Sequence, residues 1–583
     1  MTLISVLKQS WTQLPKKCDT VKRLAIEHKI SDILAQLCIL REPKNEGFSR
    51  YLDPKLATMR SPTLIKDLEV GVDIFLDLIA KNETIGLLGD YDVDGVTSTV
   101  IMIEFFKKIK FENYIVFMPN RFKDGYGLTK DAVKFFIDKN VSAVISMDCG
   151  STFIDEIQML KDNNIKTIIL DHHTCLDTLP QADAMINPQR KDDVSGLQFL
   201  SAVGVVFYFL VHTNSILKRR NEGIDLEPLL VFVALGTLCD VVPLIEENRT
   251  FVKRGLKIMA GKPTVGLKKL LLKLNIFGNS ITASDVMMRV GPKINATGRM
   301  DSAMISVELL TENNEGNAEE LVEKMFALNE KRVRLEFDVM VDIKERIKTV
   351  KDEDKFMFLY DESWHKGLVG ILASRTVELT KRPSFIGISD GEIIQGSVRS
   401  VAGIDVASVI NELRENGLLI RGGGHKMAAG FSVKKSDERD VIKIIRQEID
   451  RQLSTSKIEE MNFFDISIQA DELMQISKEL ELLEPCGTKN LQPIFHITNI
   501  RLHSSTLISN KFLKAVFKTD SGKTFEALYF RNDNSNIIKT CIAQENFGSS
   551  IDIIGSWVPN SFRGKTVYQS IIHDIVWSNQ SKA

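Results

Sequence analysis

Three short apolar runs in this 583-residue chain end in acid or histidine. Residues 84–89 run into Asp90-Tyr91-Asp92-Val93-Asp94-Gly95, residues 143–147 into Asp148, and residues 167–170 into Asp171-His172-His173. A fourth acid, Asp240, follows Leu235-Gly236-Thr237-Leu238-Cys239. Crowded carboxylates repel one another unless a cation lies between them, and hard oxygen ligands with one or two imidazoles suit Mg²⁺ or Mn²⁺ better than a structural zinc. The i, i+2 spacing of Asp90, Asp92 and Asp94 puts these carboxylates on one side of an extended segment. Such a segment could also open a calcium loop, but the twelfth position counted from Asp90 is Ile101 and not Glu, which excludes an EF-hand.

Short β-branched runs bounded by glycine and polar residues read as buried strands of a parallel sheet, and such sheets gather ligands at the carboxyl ends of their strands. The acids and histidines should therefore meet along one edge. Helical periods over 97–110 and 129–139 alternate with the strand-like runs, so the fold class up to about residue 260 is α/β, built from βα units. Residues 314–351 form a charged, helix-favouring stretch without Gly or Pro after Gly316, which predicts a helix connecting two domains.

A smaller α/β domain is expected over 352–458, with a strand at 355–359, a helix at 369–380 and two glycine-containing turns. These are Gly396-Ser397-Val398-Arg399-Ser400 and Gly422-Gly423-Gly424-His425. Glycines let main-chain N–H groups close around an oxyanion, and arginine grips phosphate with two donors. From 459 onward the texture changes to strands, at 463–468, 494–502, 512–519, 524–531, 550–557 and 566–572, as in an OB-like β-barrel. Phe512, Phe517, Phe525, Tyr529, Phe530 and Phe562 interleave there with Lys511, Lys514, Lys518, Lys523, Arg531, Arg563 and Lys565, the composition a single-strand stacking groove requires, with two or three of the aromatics facing a ligand. Residues 1–313 complete the division as a catalytic domain with an N-terminal extension.

Seven scattered cysteines, odd in number and never spaced CxxC, suggest neither a disulfide framework nor a cysteine-type zinc site, and reduced thiols are the simpler reading. The N-terminus lacks the pattern of a signal peptide, and the longest apolar stretch, 199–211, is too short to span a bilayer, so a cytoplasmic location without membrane contact is expected. The net charge of −2 decides nothing about nucleic acid, but residues 501–583 hold ten Lys and Arg against six Asp and Glu, a local excess of four positive charges.

The set of motifs resembles the DHH phosphoesterase family, and within it the exonucleases of single-stranded DNA. The resemblance is carried by residues 89–99, Arg121 with Gly125-Tyr126-Gly127-Leu128, Asp148-Cys149-Gly150, Asp171-His172-His173, Asn187-Pro188, residues 236–244 with Glu247-Asn248-Arg249, and residues 292–300 ending in Gly298-Arg299-Met300. It implies a parallel-sheet DHH catalytic domain, a DHH-associated domain and two divalent ions, Mn²⁺ or Mg²⁺. Asp92 and Asp94 would be divided between the ions, Asp148 would bridge them, and His172 and Asp240 would hold the second. Asp90 and Asp171 would be further ligands or would orient the ligands, and His173 would face phosphate. Arg121, Arg299, Ser397, Arg399, Gly423, Gly424 and His425 are the implied substrate-binding residues. The implied activity is two-metal, in-line hydrolysis of single-stranded DNA from its 5′ end to 5′-mononucleotides, in DNA repair and recombination. A monomer is expected, with single-strand-binding protein and a helicase as candidate partners. A phosphatase of polyphosphate or short oligonucleotides and a non-catalytic replication scaffold are the alternatives. The terminal barrel argues against the first, and the full set of acids and histidines against the second.

Overall fold

The computed structural model describes residues 2–15, 18–41, 47–121, 127–278, 281–350, 354–455, 462–508, 512–530, 536–543, 546–562 and 565–578. Gly125, Tyr126, Lys511, Arg531 and Arg563, together with the side chains of Phe562 and Lys565, lie outside what is described.

The first sheet is wholly parallel, in the order Tyr114–Phe117, Ile85–Leu88, Ala143–Met147, Lys166–Leu170, Ala184–Ile186. Its central strands are buried along nearly their whole length, with Leu87, Val144, Ile145, Ile168 and Ile169 fully enclosed. Burying each such side chain contributes about 1.5–3 kcal/mol, which is why strands covered on both faces are uniformly apolar. Leu88 pairs with Ser146, Met147 with Leu170 and Leu170 with Ile186, so the strands end in step. The chain leaves the strand Ile85–Leu88 to one side for Tyr114–Phe117 and returns to its other side for Ala143–Met147. The order reverses between Ile85–Leu88 and Ala143–Met147, and Asp90 and Asp148 follow those two strands. Such a reversal opens a crevice for a ligand.

The helix Glu315–Ile347 is 33 residues long, capped at its start by Asn314, whose Oδ1 accepts the N–H groups of Gly316 and Asn317. At 1.5 Å per residue it spans about 50 Å, enough to connect two domains. Beyond it lies a second sheet ordered Leu419–His425, Ala428–Lys434, Ile393–Arg399, Ser384–Ser389, Met357–Asp361. Both glycine segments expected as turns are strands of this sheet. Gly396 pairs with Gly387 on one side and Phe431 on the other, and Gly423 pairs with Gly430. A Cβ on Gly396 would lie 2.2 Å from the Ile386 carbonyl oxygen, so glycine serves close strand packing there and not a bend. The strand Leu419–His425 is an edge strand, and its glycines face the cleft between the two α/β domains.

The terminal barrel is a seven-stranded sheet, mostly antiparallel. The run expected as one strand over 494–502 breaks at Asn499, in the left-handed region at φ 61°, into Ile494–Thr498 and Ile500–Ile508. The N-terminal extension packs against this barrel: Leu34, Leu37, Phe48 and Tyr51 share one core with Phe495, Phe517 and Ile575. Ser10–Gln13 pairs in parallel with Asn462–Phe464. Among the described residues no helix is long and apolar enough to cross a membrane; the apolar stretch 199–211 lies mostly in the buried helix Ala202–Arg219.

Candidate metal centre

The segment after Ile85–Leu88 is not extended throughout. Asp92 is the N-cap of the helix Val93–Ile109, its Oδ1 accepting the N–H groups of Asp94 at 2.9 Å and Gly95 at 3.1 Å. This removes two of the unpaired donors that begin every helix and contributes about 1 kcal/mol. Asp94 therefore sits in the first helical turn. Its Oδ2 accepts Ala202 N–H at 2.7 Å and its Oδ1 accepts Val203 N–H at 3.0 Å, both at the start of the helix Ala202–Arg219. A helix N-terminus favours an anion at this place. Gly236 makes room: a Cβ there would come within 2.6 Å of Asp94 Oδ1.

Three overlapping groups gather at the strand ends: Asp90, Asp92 and Asp148; Asp94, His172 and Asp240; and Asp148, His172 and His173. His172 Nε2 is 3.4 Å from Asp148 Oδ1, 3.5 Å from Asp240 Oδ2 and 3.9 Å from Asp94 Oδ2. Asp148 holds its place in the left-handed region at φ 62° while its N–H donates to the Leu170 carbonyl. Asp240 caps the end of the helix Leu230–Cys239.

Burial, then the charge of Asp92, pushes Asp94 up to about 7. Burial, then Asp94 and Asp92, pushes Asp240 up to about 9. Asp148 and Asp90 are raised for the same reasons. Burial and the charge of His173 lower His172 to about 4, so its imidazole is neutral near pH 7. Its ring also meets the Leu200 carbonyl, while Nε2 is buried with no hydrogen-bond partner, as is Asp90 Oδ1. His172 and Asp90 belong to different groups that share Asp148, and a neutral imidazole in one and an unpartnered carboxylate oxygen in the other are what divalent cations need. The donor set fits Mn²⁺ or Mg²⁺.

Asp171 does not belong to any of the three groups. Its Oδ2 accepts Ser151 N–H at 3.1 Å, and its Oδ1 accepts the N–H groups of His172 and His173 and the Nδ1 of His173 at 2.8 Å. Burial alone would raise Asp171, but the His173 hydrogen bond and charge hold it well below the usual carboxylate range. Burial alone would lower His173, but Asp171 raises it to about 9. Asn187, after the strand Ala184–Ile186, donates to the His173 carbonyl at 2.9 Å and to Ser151 Oγ at 2.8 Å.

His173 lines two adjoining cavities of about 1130 and 1040 Å³ between the α/β domains. Gly423 and Gly424 line both, and His425 lines the larger. Arg121, Ser397 and Arg399 line the smaller. The Arg121 guanidinium stands 4.8 Å from the Tyr91 ring centre. Arg399 Nη1 donates to Ser397 Oγ at 2.7 Å, and Arg299 Nη1 donates to the Gly367 carbonyl at 3.3 Å. Burial, then the charge of Arg121, lowers Arg299 to about 10 and lowers Arg399 also. Arg121 acts electrostatically on both other arginines, and among the described residues none of the three has a carboxylate within ion-pair distance, an arrangement that could receive an anion.

Residue types alone did not reveal the main-chain donors at Ala202 and Val203, and Asn187 stood out only as part of a motif, without the role its hydrogen bonds show. The only trace of the former is Ser201 before an apolar helical run. Of the aromatics expected in a stacking groove, Phe517, Phe525 and Tyr529 are buried in the barrel core, whereas Phe530 is exposed and stands 5.6 Å from half-buried Phe512.

Residues 84–237 match the DHH family N-terminal domain, 353–451 the DHHA1 domain and 464–574 the RecJ OB domain. The chain is 31% identical over 535 residues to the single-stranded-DNA-specific exonuclease RecJ of Escherichia coli, covering 88% of this chain and 90% of that one. The chain belongs to the RecJ family. RecJ of Bacillus subtilis is 28% identical over 582 residues, 97% of this chain and 71% of its own. The RecJ fold is shared along almost the whole length: Thermus thermophilus RecJ in complex with Mn²⁺ superimposes with a TM-score of 0.79 at 24% identity, covering 97% of this chain and 79% of that one. A second RecJ structure, bound to manganese, matches with a TM-score of 0.58 at 28% identity over 67% of this chain and 97% of its own. Asp240 lies beyond the DHH match, whereas Ser397, Arg399 and Gly423 to His425 fall within the DHHA1 domain.

Proposed function

We propose that this protein is a divalent-metal-dependent exonuclease that removes 5′-mononucleotides from the 5′ end of single-stranded DNA. The observation that carries this reading is that Arg121 and Arg399 line the same cavity as His173, which itself belongs to one of the acid and histidine groups, while Arg121 also acts electrostatically on Asp90 and on buried Arg299. A terminal phosphate held by the arginines would leave the next phosphodiester to the acid and histidine groups, so that cleavage starts from an end.

Asp90, Asp92 and Asp148 would hold one ion, and His172 and Asp240 with Asp94 the other, with Asp148 shared. Two divalent ions in such a site supply an activated water and stabilise charge on the attacking and leaving oxygens of an in-line displacement. Asp94 retains lone pairs for this purpose, since each oxygen accepts one N–H. His173, protonated near neutrality and oriented by Asp171, donates to a non-bridging oxygen of the scissile phosphate. Arg399, Ser397, Arg299 and Arg121 bind the 5′-terminal phosphate, while Gly423, Gly424 and His425 line the strand's path. The barrel grips the strand further along, with the Phe512 and Phe530 pair available for base stacking. The same proposal covers its setting: a cytoplasmic monomer acting in DNA repair and recombination on strands presented by a helicase and single-strand-binding protein.

A time course with 5′-labelled and 3′-labelled single strands tests the reading. Label should leave the 5′-labelled strand as mononucleotide from the first time point, while the 3′-labelled strand shortens progressively, and chelator should stop both. Early mononucleotide from the 3′ label would overturn the polarity.

A further inference from the structure

The first turn of the helix Glu246–Gly261 touches neither proposed metal ligands nor the cleft, yet three successive side chains there are fully or almost fully buried and polar: Glu247, Asn248 and Arg249. Glu247 receives Arg50 at 2.8 Å and Arg60 at 2.9 Å, both from the N-terminal extension. Its two neighbours reach in different directions.

Asn248 Nδ2 donates to the Phe199 carbonyl at 2.6 Å and the Pro243 carbonyl at 3.0 Å. Phe199 precedes Leu200, whose carbonyl meets the His172 ring, and Ala202 and Val203, whose N–H groups hold Asp94. Pro243 is three residues after Asp240. One amide therefore ties together the two segments that set Asp94, His172 and Asp240. Its Oδ1 is buried without a partner, so the side chain acts here through its donor end alone.

Arg249 spends all its donors on carbonyls: Tyr51 at 3.0 Å, then Leu482, Leu483, Glu484 and Pro485 at 2.9 to 3.2 Å, with its guanidinium 4.1 Å from the Tyr51 ring centre. Residues 482–485 lie between two strands of the barrel sheet, Ile466–Gln469 and Ile494–Thr498. The same loop meets the Asp240 segment again, where Leu244 N–H donates to the Thr488 carbonyl at 2.8 Å.

We propose that Asn248 and Arg249 couple the seating of the terminal barrel to the metal centre, with Asn248 as the positioning residue for the ligand-bearing segments 199–203 and 240–245. The proposal rests on the reading of Asp94, His172 and Asp240 as ligands. A barrel that shifts on its strand pulls the 482–490 loop, hence the Asp240 segment, so metal occupancy depends on a properly seated barrel. Linkage makes the effect reciprocal: metal must also tighten the barrel loop.

Hydrogen exchange on the wild-type full-length chain, with and without Mn²⁺, reads this directly. Mn²⁺ should slow exchange in 90–94 and 171–173, and by roughly tenfold in 482–490, which contains no proposed ligand. Asn248→Ala should weaken Mn²⁺ binding by roughly tenfold to a hundredfold, measured by electron paramagnetic resonance of free Mn²⁺, and should abolish the slowing in 482–490. Strand binding in metal-free buffer should stay at the wild-type level. Slowing confined to 90–94 and 171–173 would overturn the coupling and leave the metal reading intact, whereas no slowing anywhere would overturn both. Wild-type Mn²⁺ affinity in Asn248→Ala would also overturn it. Because the wild-type comparison stands by itself, a variant that fails to fold leaves the test decisive.

Discussion

His173 Nδ1 lies 2.8 Å from Asp171 Oδ1, and this contact raises His173 while burial lowers its neighbour His172. His173 is raised to about 9, with Asp171 overcoming burial, while His172 is lowered to about 4 by burial and by the charge of its neighbour. One imidazole is left able to bind a cation and the other is a cation itself.

The pair predicts the alkaline side of the pH profile. With saturating Mn²⁺, kcat should fall as pH rises through about 9, where His173 loses its proton. Asp171→Asn removes the charge that raises His173 and should move that limb to lower pH. His173→Ala should lower kcat by about 10² to 10³, the usual loss when one donor to a developing anion is removed. Unchanged limbs in Asp171→Asn would show that His173 is not the titrating group.

The acids predict a metal-dependent stability profile. Asp94 at about 7 and Asp240 at about 9 are raised by burial and mutual repulsion, so the metal-free fold binds protons that the unfolded chain has already lost. Stability of the metal-free protein should therefore fall as pH rises from about 4, the ordinary carboxylate value, towards about 9. Mn²⁺ should flatten this slope and release protons on binding. Melting curves across that range with Mn²⁺ or chelator check the first, and calorimetry in buffers of different ionisation enthalpy checks the second.

Asp148 stands in the acid group with Asp90 and Asp92 and within 3.4 Å of His172 in the other. Asp148→Ala should lower turnover by more than about 10³, since it strips a ligand from both positions, while strand binding persists. Turnover within about tenfold of wild type would refute the shared role.

Arg399 predicts end recognition. An arginine–phosphate contact is worth about 1.5–3 kcal/mol, so Arg399→Ala should cost about tenfold to a hundredfold on 5′-phosphorylated strands and much less on 5′-hydroxyl strands. Equal losses on the two substrates would assign Arg399 to an internal phosphate. Such tests are better made in the intact chain than by removing the barrel, because Arg249 and the Leu34, Leu37 and Phe48 side chains would lose their cover.

Local patterns announced what is local. Asp90, Asp148 and Asp171 were legible as strand ends because apolar runs buried on both faces leave a clear boundary, and the helix Val369–Thr380 follows its apolar period. Gly396 and Gly422 to Gly424 read as turns because glycine is poor in strands, and only the facing backbone shows why it is needed there. The docking of Leu34, Leu37, Phe48 and Tyr51 on the barrel, and the pairing of Trp11 with Asn462, join segments more than 400 positions apart, which no local period encodes. In the barrel, aromatics of the same type divide between core Phe517 and exposed Phe530, a difference that depends on strand register.

The most direct measurement compares a circular single strand of DNA with the same strand linearised, each incubated with the protein and Mn²⁺. An active site that must first seat a terminal phosphate among Arg399, Arg299 and Arg121 predicts complete conversion of the linear strand to 5′-mononucleotides and an untouched circle. Cleavage of the circle at a comparable rate would contradict the account, since it would show that the metal centre cuts without an end.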